Sequence, residues 1–244
     1  MIDLHCHILP GIDDGAADMD DSVAMAHQAA EDGIETVCAT PHIRHDHDVR
    51  IEELERRVDE LNRALDEHGL PVSVSRGGEL AETAAAGLDS RELRAISLDG
   101  RGRWVLLEPA PGPIGDSLAH TARALRHRGA RSVIAHPERH ASDELAHRLT
   151  ELVSEGALVQ VTAAFVEDGP AAPAMLELAA TGLVHLVGSD AHSARAGRPV
   201  RLSGGIEALG RVPALAGHLD WIAREAPAAI LRGEDVAPPF PVAA

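Results

Sequence analysis

The opening stretch MIDLHCHILPGIDDG (residues 1–15) joins an apolar run that carries two histidines to a glycine-flanked loop with two aspartates. Side chains of a β-strand alternate between its two faces, so His5 and His7 project from the same face. Such a pair indicates either a strand edge that is wetted on one side or half of a metal site. The positions of the other potential metal ligands in the sequence decide between these two interpretations.

Short apolar runs alternate with amphipathic helical segments along the chain. The strand-like runs are MIDLHCH, ETVCAT, PVSVSRGGE, RWVLLEP, RSVIAHP, ALVQVTA and LVHLVGSD. The helical segments between them end at glycine, and one segment carries an apolar stripe of Ile51, Leu54, Val58, Leu61 and Leu65. This alternation predicts an α/β fold with a parallel sheet inside a layer of helices, most simply a barrel. We expect one domain over residues 1–232 and a loose, Pro-rich tail over residues 233–244.

The composition restricts the partners. The 22 basic and 39 acidic residues give a net charge of -17, which opposes binding to nucleic acid or to an anionic membrane. The sequence has no run of about 18 apolar residues, so it predicts no membrane-spanning helix. The two cysteines, Cys6 and Cys38, lie in apolar runs and are typical of buried thiols in a reducing compartment. We therefore expect a soluble, cytoplasmic protein.

Nine potential ligands follow the predicted strands at their carboxyl ends. In a βα barrel these ends meet on one face, where active sites are built. Four carboxylates packed together would repel one another unless cations bind between them. Imidazole and carboxylate without thiolate favour zinc, manganese or iron. The nine residues are His5, His7, Asp14, His42, Glu79, Glu108, His136, Asp190 and His192.

Each of these residues also has an ordinary structural interpretation when it is taken alone. His136 could cap a strand, Glu108 could form an ion pair, and Asp190 could be the N-cap of a helix. The ordered set at successive strand ends favours a metal centre, because separate structural roles do not explain why all nine occupy equivalent positions.

The motifs DLHCHILPGIDDG, ATPHIRH, GGE, LLEPA, VIAHPERH and GSDAHS occur in this order over most of the chain. In these motifs the chain resembles the polymerase and histidinol phosphatase (PHP) superfamily, and within it the capsule-associated bacterial protein-tyrosine phosphatases. The resemblance implies a distorted seven-stranded, TIM-like (β/α)7 barrel. It also implies a trinuclear site that takes two or three divalent ions, with manganese as the first choice and zinc, iron or cobalt as alternatives.

The resemblance assigns the ligands to three ions. The first would be held by His5, His7, Glu79 and Asp190. Glu79 would bridge to a second ion that is completed by Glu108 and His136. The third would be held by Asp14, His42 and His192. Arg139 matches an arginine near the substrate phosphate, and Arg198 is the best match for a second one, with Arg195 and Arg201 as alternatives.

The implied activity is removal of phosphate from phosphotyrosine by a metal-bridging hydroxide, with Arg139, Arg198 and His42 at the reacting groups and a role in capsule or exopolysaccharide regulation. The loop after His42 carries His45 and His47. Each imidazole either assists departure of the leaving group or is a solvated side chain without a catalytic role. This loop has no aromatic residue, which keeps open a small phosphate ester such as histidinol phosphate as the substrate. A non-catalytic metal-binding scaffold is a more remote alternative.

A second phosphatase chemistry has a partial signature. Cys38 and Arg44 are separated by five residues, which is the spacing of cysteine-dependent phosphatases. In those enzymes backbone N–H groups surround phosphate next to a thiolate of lowered pKa. Pro41 removes one of these donors and the stretch has no glycine. The spacing is therefore attributed to chance.

Overall fold

The structure is a computed structural model that describes residues 1–242, so Ala243 and Ala244 of the expected tail lie outside the described residues. The strands are β1 (Ile2–Cys6), β2 (Thr36–Ala39), β3 (His42–Ile43), β4 (Ser73–Arg76), β5 (Glu79–Ala81), β6 (Trp104–Glu108), β7 (Arg131–Ala135), β8 (Leu158–Thr162) and β9 (Leu186–Gly188). All strand pairs are parallel, and they form two sheets with the orders β1-β2-β4 and β3-β5-β6-β7-β8-β9. The fold is thus mixed α/β with parallel sheets.

The predicted strand PVSVSRGGE is broken into β4 and β5, and a short strand that was not predicted, β3, follows ETVCAT; both interruptions divide the sheets. The chain passes from the first sheet to the second at Thr40-Pro41 and at Gly77-Gly78. Pro41 cannot donate a ladder hydrogen bond. A Cβ at Gly77 would lie 2.7 Å from Cys38 Sγ, so only glycine fits this close approach. Beyond the breaks, His42 pairs in register with Glu79, which puts two candidate ligands side by side.

The outer strands β1 and β9 approach each other through backbone contacts. Cys6 and Ala191 form an isolated parallel bridge. Asp190 N donates to His5 O at 2.8 Å, and His7 N donates to Ala191 O at 2.9 Å. Within residues 1–242 the paired strands do not form a continuous ring. The expected count of seven barrel strands is therefore not confirmed.

Nine α-helices lie within the described residues. They are α1 (Met19–Glu31), α2 (Leu54–Glu67), α3 (Ser90–Ile96), α4 (Asp116–His127), α5 (Leu145–Ser154), α6 (Ala163–Glu167), α7 (Ala172–Ala180), α8 (Ser203–Gly210) and α9 (Ala226–Leu231). Short 3-10 turns occur at Ile51–Glu53, Ala85–Gly87 and Pro137–Arg139, and a π-helix occurs at Trp221–Glu225. No helix within residues 1–242 has the length and apolar character needed to cross a membrane.

The helix periodicity was partly readable from the sequence. The stripe of α2 is buried as predicted at its four helical positions, and Ile51 lies on the preceding 3-10 turn, half-buried. Helices α3, α6, α8 and α9 were not predicted. A signal existed for α3, because Asp89 and Glu92 form a capping box in which each side chain accepts from the other's backbone N–H.

The C-terminal segment, which the sequence predicts to be a loose tail, carries a packed aromatic ring in its described part. Phe240 is 6% exposed. Its ring lies 6.0 Å from that of His185, 5.5 Å from that of His218 and 5.5 Å from that of Trp221, measured between centroids. An aromatic side chain packed in this way buries enough apolar surface to hold a segment that has no helix or strand.

We predict that Phe240→Ala lowers the free energy of unfolding by about 3 kcal/mol, because it removes a buried ring and leaves a cavity. Urea unfolding followed by circular dichroism measures the change. Ala237→Ser, at an exposed position of the same segment, is the matched control and should stay near the wild-type value. Equal stability of Phe240→Ala and the wild type would mean that the segment does not pack in solution.

Candidate metal centre

The structure brings all nine predicted ligands together at the carboxyl ends of the strands. Seven are buried, whereas Asp14 is exposed and His192 is half-buried. Their donor atoms form four overlapping groups, each with all atoms within 4.8 Å of one another. The groups are His7, Asp14, His42 and His192; His5, His136 and Asp190; His5, His7 and Glu79; and His42, Glu79 and Glu108.

This grouping agrees only in part with the assignment that the family resemblance implies. Asp14, His42 and His192 lie together as expected, and His7 joins them. The pair expected at the second ion is divided, because Glu108 lies with His42 and His136 lies with His5. The reason is positional: β6 carries Glu108 next to β5, whereas His136 follows β7, one strand further along the sheet.

Glu79 is the centre of the cluster. Its carboxylate is fully buried, with His136 Nε2 at 2.7 Å from Oε1 and His42 Nδ1 at 2.9 Å from Oε2. The Nε2 atoms of His5 and His7 both lie 3.3 Å from this carboxylate. One carboxylate therefore touches four imidazoles at the middle of the candidate metal centre.

Several buried polar atoms in this cluster have no hydrogen-bond partner among residues 1–242. They include Nε2 of His5, Nε2 of His7, Nδ1 of His42 and Oε2 of Glu79. Leaving such atoms unpaired inside a protein is costly. The close contact between His42 Nδ1 and Glu79 Oε2 is too poorly aligned to be a hydrogen bond. These atoms are the donors that divalent cations take, so the residues fit a metal centre.

Two residues that sequence reasoning missed orient the imidazoles. His7 Nδ1 donates to Asp13 Oδ2 at 2.8 Å, and His5 Nδ1 donates to Gln160 Oε1 at 2.8 Å. Each bond leaves Nε2 of the imidazole as the ligand atom, in the way that outer contacts orient metal-binding histidines. Gln160 had a detectable signal, since it is a polar residue inside the apolar strand β8 and is fully buried.

The pKa shifts in this cluster show that its buried carboxylates are stabilised by nearby positive charge or by protonation. Burial disfavours a charged imidazole at His7, but the hydrogen bond to Asp13 and the nearby carboxylate of Glu79 outweigh it and raise the pKa of His7 to about 10. Burial also opposes ionisation of Asp13, yet the hydrogen bond from His7 holds its pKa at about 2. Burial and the neighbouring Glu79 raise the pKa of Glu108. Divalent cations supply the charge that this cluster otherwise takes up as protons.

Backbone strain is concentrated at two ligands. His136 has φ of 35° and Asp190 has φ of 49°, and they are the two non-glycine residues with positive φ among those described. This region of backbone conformation is unfavourable for most side chains and clusters at functional sites. His136 directly follows β7 and Asp190 lies two residues after β9, so the left-handed backbone occurs where the chain leaves each strand and both side chains lie in the cluster.

Asp190 connects the cluster to two arginines. Its Oδ1 lies 3.4 Å from His5 Nε2, while its Oδ2 accepts from Arg139 and from Arg198, the latter at 2.9 Å. The alternatives to Arg198 point elsewhere, since Arg195 pairs with Asp18 at 2.8 Å and Arg201 pairs with Glu167 at 2.5 Å. Among the three candidates, Arg198 is the one beside the metal ligands.

An open cavity of about 350 Å³ lies over this part of the cluster. Arg44 lines it, although the sequence had suggested Arg44 only through its spacing from Cys38. Cys38 is fully buried in β2, where burial raises the pKa of its thiol to about 12. In the loop after β3, His47 stacks on His42 with centroids 5.0 Å apart, whereas His45 is exposed. The lining residues are Asp14, His42, Arg44, Arg139, His192, Gly197 and Arg198.

We predict that Asp13→Asn weakens metal binding by about 10- to 100-fold, because His7 loses the carboxylate that orients its ring and raises its basicity. Calorimetric titration of chelator-stripped protein with Mn²⁺ gives the affinities. Asp20→Asn removes an equal charge from an exposed site nearby and serves as the control. Wild-type affinity in Asp13→Asn would show that Asp13 does not support a ligand.

Known proteins share both the sequence pattern and the architecture. The tyrosine-protein phosphatase YwqE of Bacillus subtilis (strain 168) is 35% identical over 202 residues, which cover 80% of this chain and 78% of YwqE. The tyrosine-protein phosphatase CpsB of Streptococcus pneumoniae is 26% identical over 211 residues, which cover 79% of this chain and 83% of CpsB.

A solved structure extends the likeness to three dimensions. It comes from work on YwqE and CpsB, described as unique metal-dependent tyrosine phosphatases, and it matches with a TM-score of 0.84 at 28% identity, covering 100% of both chains. The family described as capsular polysaccharide synthesis, CpsB/CapC, matches residues 1–231. With fold and sequence in agreement over nearly its whole length, the chain belongs to the CpsB/CapC family.

Proposed function

We propose that this protein is a metal-dependent phosphatase that removes phosphate from phosphotyrosine in proteins. The observation that carries the proposal is the buried imidazole and carboxylate cluster next to a cavity lined by three arginines. Cations and guanidinium groups at one site are suited to a phosphate dianion. The relatives named as tyrosine phosphatases support phosphotyrosine as the substrate class.

The proposed centre takes two or three divalent ions, with Mn²⁺ as the first choice and Zn²⁺, Fe²⁺ or Co²⁺ as alternatives. The four donor groups around Glu79 support more than one ion. The group of His7, Asp14, His42 and His192 supports a separate ion at the open side, because Asp14 is exposed and lines the cavity. The mixture of nitrogen and oxygen donors suits these metals better than sulfur-seeking ones.

Bound divalent ions would lower the pKa of coordinated water and stabilise charge on the phosphate oxygens. The protein's own part is to position and balance charge. Arg198 uses Nε and Nη2 on Asp190, and no hydrogen bond within residues 1–242 uses its Nη1 donors. Arg139 binds Asp190 through Nη2. The remaining donors of both guanidinium groups can bind the equatorial oxygens of the phosphate.

The leaving group of phosphotyrosine makes modest demands on the protein. The phenolic hydroxyl of tyrosine has a pKa of about 10, so the phenolate leaves with less help from protonation than an alkoxide requires. The cavity is open, which suits a side chain presented by another protein. His47 is better placed than His45 to contact the leaving group, since it stacks on His42.

The proposal also covers the fold and the location. The kinked passages between the sheets and the contacts between β1 and β9 support a distorted seven-stranded barrel in which β2 with β3, and β4 with β5, count as single bent strands. Both cysteines are free thiols, which supports a reducing, cytoplasmic environment.

The decisive experiment is phosphate release from a phosphotyrosine peptide by chelator-stripped protein with and without added Mn²⁺. We expect release only with metal, and a higher kcat/KM for this peptide than for the matched phosphoserine peptide. Histidinol phosphate is tested in parallel. Release from histidinol phosphate but not from the peptide would reject the tyrosine-phosphatase proposal, and metal-independent release would reject the metal mechanism.

We predict that Cys38→Ser retains kcat/KM within about 2-fold, because a buried thiol of raised pKa cannot act as the nucleophile. Arg139→Ala is the contrasting variant and should lose about 100-fold or more, since it removes charge-assisted hydrogen bonds to the phosphate. An inactive but folded Cys38→Ser enzyme would instead support cysteine-dependent catalysis.

A further inference from the structure

Arg198 lies on a loop, residues 193–202, that contains neither helix nor strand. Side chains from α1 hold both ends of the loop. Asp21 accepts from Ser193 Oγ at 2.8 Å, and Gln28 Oε1 accepts from Val200 N at 3.1 Å. Gly197, next to Arg198, has φ of +81°. Since the backbone here is irregular, the direction of the Arg198 guanidinium depends on the contacts of its own side chain.

Two kinds of contact hold the planar guanidinium group of Arg198, one along its edge and one on its face. On the edge, Nε donates to Asp190 O at 3.0 Å, and Nη2 donates to Asp190 Oδ2 at 2.9 Å. On the face, Cζ lies 5.5 Å from the centroid of the Phe165 ring. This distance is within the range of a cation–π interaction. The edge contacts alone would allow the plane to tilt about Asp190, and the ring restrains that motion.

Phe165 lies on a helix that packs closely against its neighbours. It belongs to α6, which begins directly after β8. Its neighbour Val166 is fully buried, and Phe165 is half-buried. A Cβ at Gly205 of α8 would lie 2.7 Å from Ala163 Cα, so the two helices pack at close range. A closely packed helix therefore presents the ring to a side chain on an irregular loop.

The position of the Phe165 ring relative to the cavity indicates whether the ring contacts the substrate or supports Arg198. Arg198 lines the cavity, whereas Phe165 is not among the lining residues. The chain has two phenylalanines and no tyrosine. One of these few aromatic rings, Phe165, lies against an arginine that lines the cavity. A ring behind the arginine supports the arginine rather than the substrate.

We propose that Phe165 is a positioning residue whose ring holds the guanidinium of Arg198 toward the cavity and thereby sets the affinity for the phosphate group. This inference rests on the proposed function in one point, that Arg198 binds phosphate. It adds the requirement for an aromatic face at position 165. Leucine would fill similar space but would lack the negative ring face that attracts the guanidinium.

The test compares Phe165→Leu with Phe165→Tyr in the metal-loaded enzyme. Calorimetry gives the Kd for inorganic phosphate, and steady-state kinetics gives KM and kcat for a phosphotyrosine peptide. We expect Phe165→Leu to raise both Kd and KM by about 3- to 10-fold with a smaller change in kcat, and Phe165→Tyr to stay within about 2-fold of wild type. Thermal unfolding verifies that each variant is folded.

Glu167→Gln is the matched control. It weakens the pair between Glu167 and Arg201, which also joins α6 to this loop, but leaves the face of Arg198 covered. Its phosphate Kd should equal that of the wild type. A rise equal to that of Phe165→Leu would indicate that general loosening of the loop, rather than the ring, is responsible, and would overturn the proposal.

Further outcomes overturn the proposal separately from the function. Unchanged phosphate affinity in Phe165→Leu, or equal loss in Phe165→Tyr, would exclude a cation–π role. A rise in KM for the peptide with unchanged phosphate Kd would mean that the ring contacts the substrate's own aromatic ring. A wild type that binds phosphate but does not cleave phosphotyrosine would reject the proposed function alone. No phosphate binding by the wild type would reject both.

Discussion

Four carboxylates and five imidazoles share one largely buried space at the carboxyl ends of the strands, and the repulsion between these carboxylates governs how the site is built. Carboxylates at such short range repel one another, and burial removes the water that would screen them. Imidazoles alone relieve this only by taking up protons, as the raised pKa of His7 shows. Divalent cations resolve the conflict and would also satisfy the unpaired ligand atoms.

The fold is adapted to that cluster through its irregular features. The breaks at Thr40-Pro41 and Gly77-Gly78 shift the chain between sheets, and the new register places His42 beside Glu79. The left-handed backbone at His136 and Asp190 turns two further ligands inward. Such strain persists because the surrounding strands and, in the loaded protein, the cations stabilise it. A regular strand at these positions would direct the same side chains elsewhere.

Asp190 gives the site its organisation, because its two oxygens face different partners. One lies against His5 and the other accepts from Arg139 and Arg198. The arginines are thus aligned with the cluster through a shared carboxylate, and Phe165 supports one of them from behind. This arrangement brings two guanidinium groups to one side of a single cavity, as the proposed binding of a phosphate dianion requires.

The α/β class, the location of the site at the strand ends and the identity of the nine clustered side chains could all be predicted from the amino-acid sequence. These depend on local periodicity and on the position of polar residues after apolar runs, which a single chain displays directly. Tertiary structure decided the division into two sheets, the packing of Phe240, the separation of Glu108 from His136, and the roles of Asp13, Gln160 and Phe165. Each of these depends on which distant segments meet. Asp13 is indistinguishable from Asp14 along the chain, and only the fold of the loop turns one toward His7 and leaves the other exposed at the cavity.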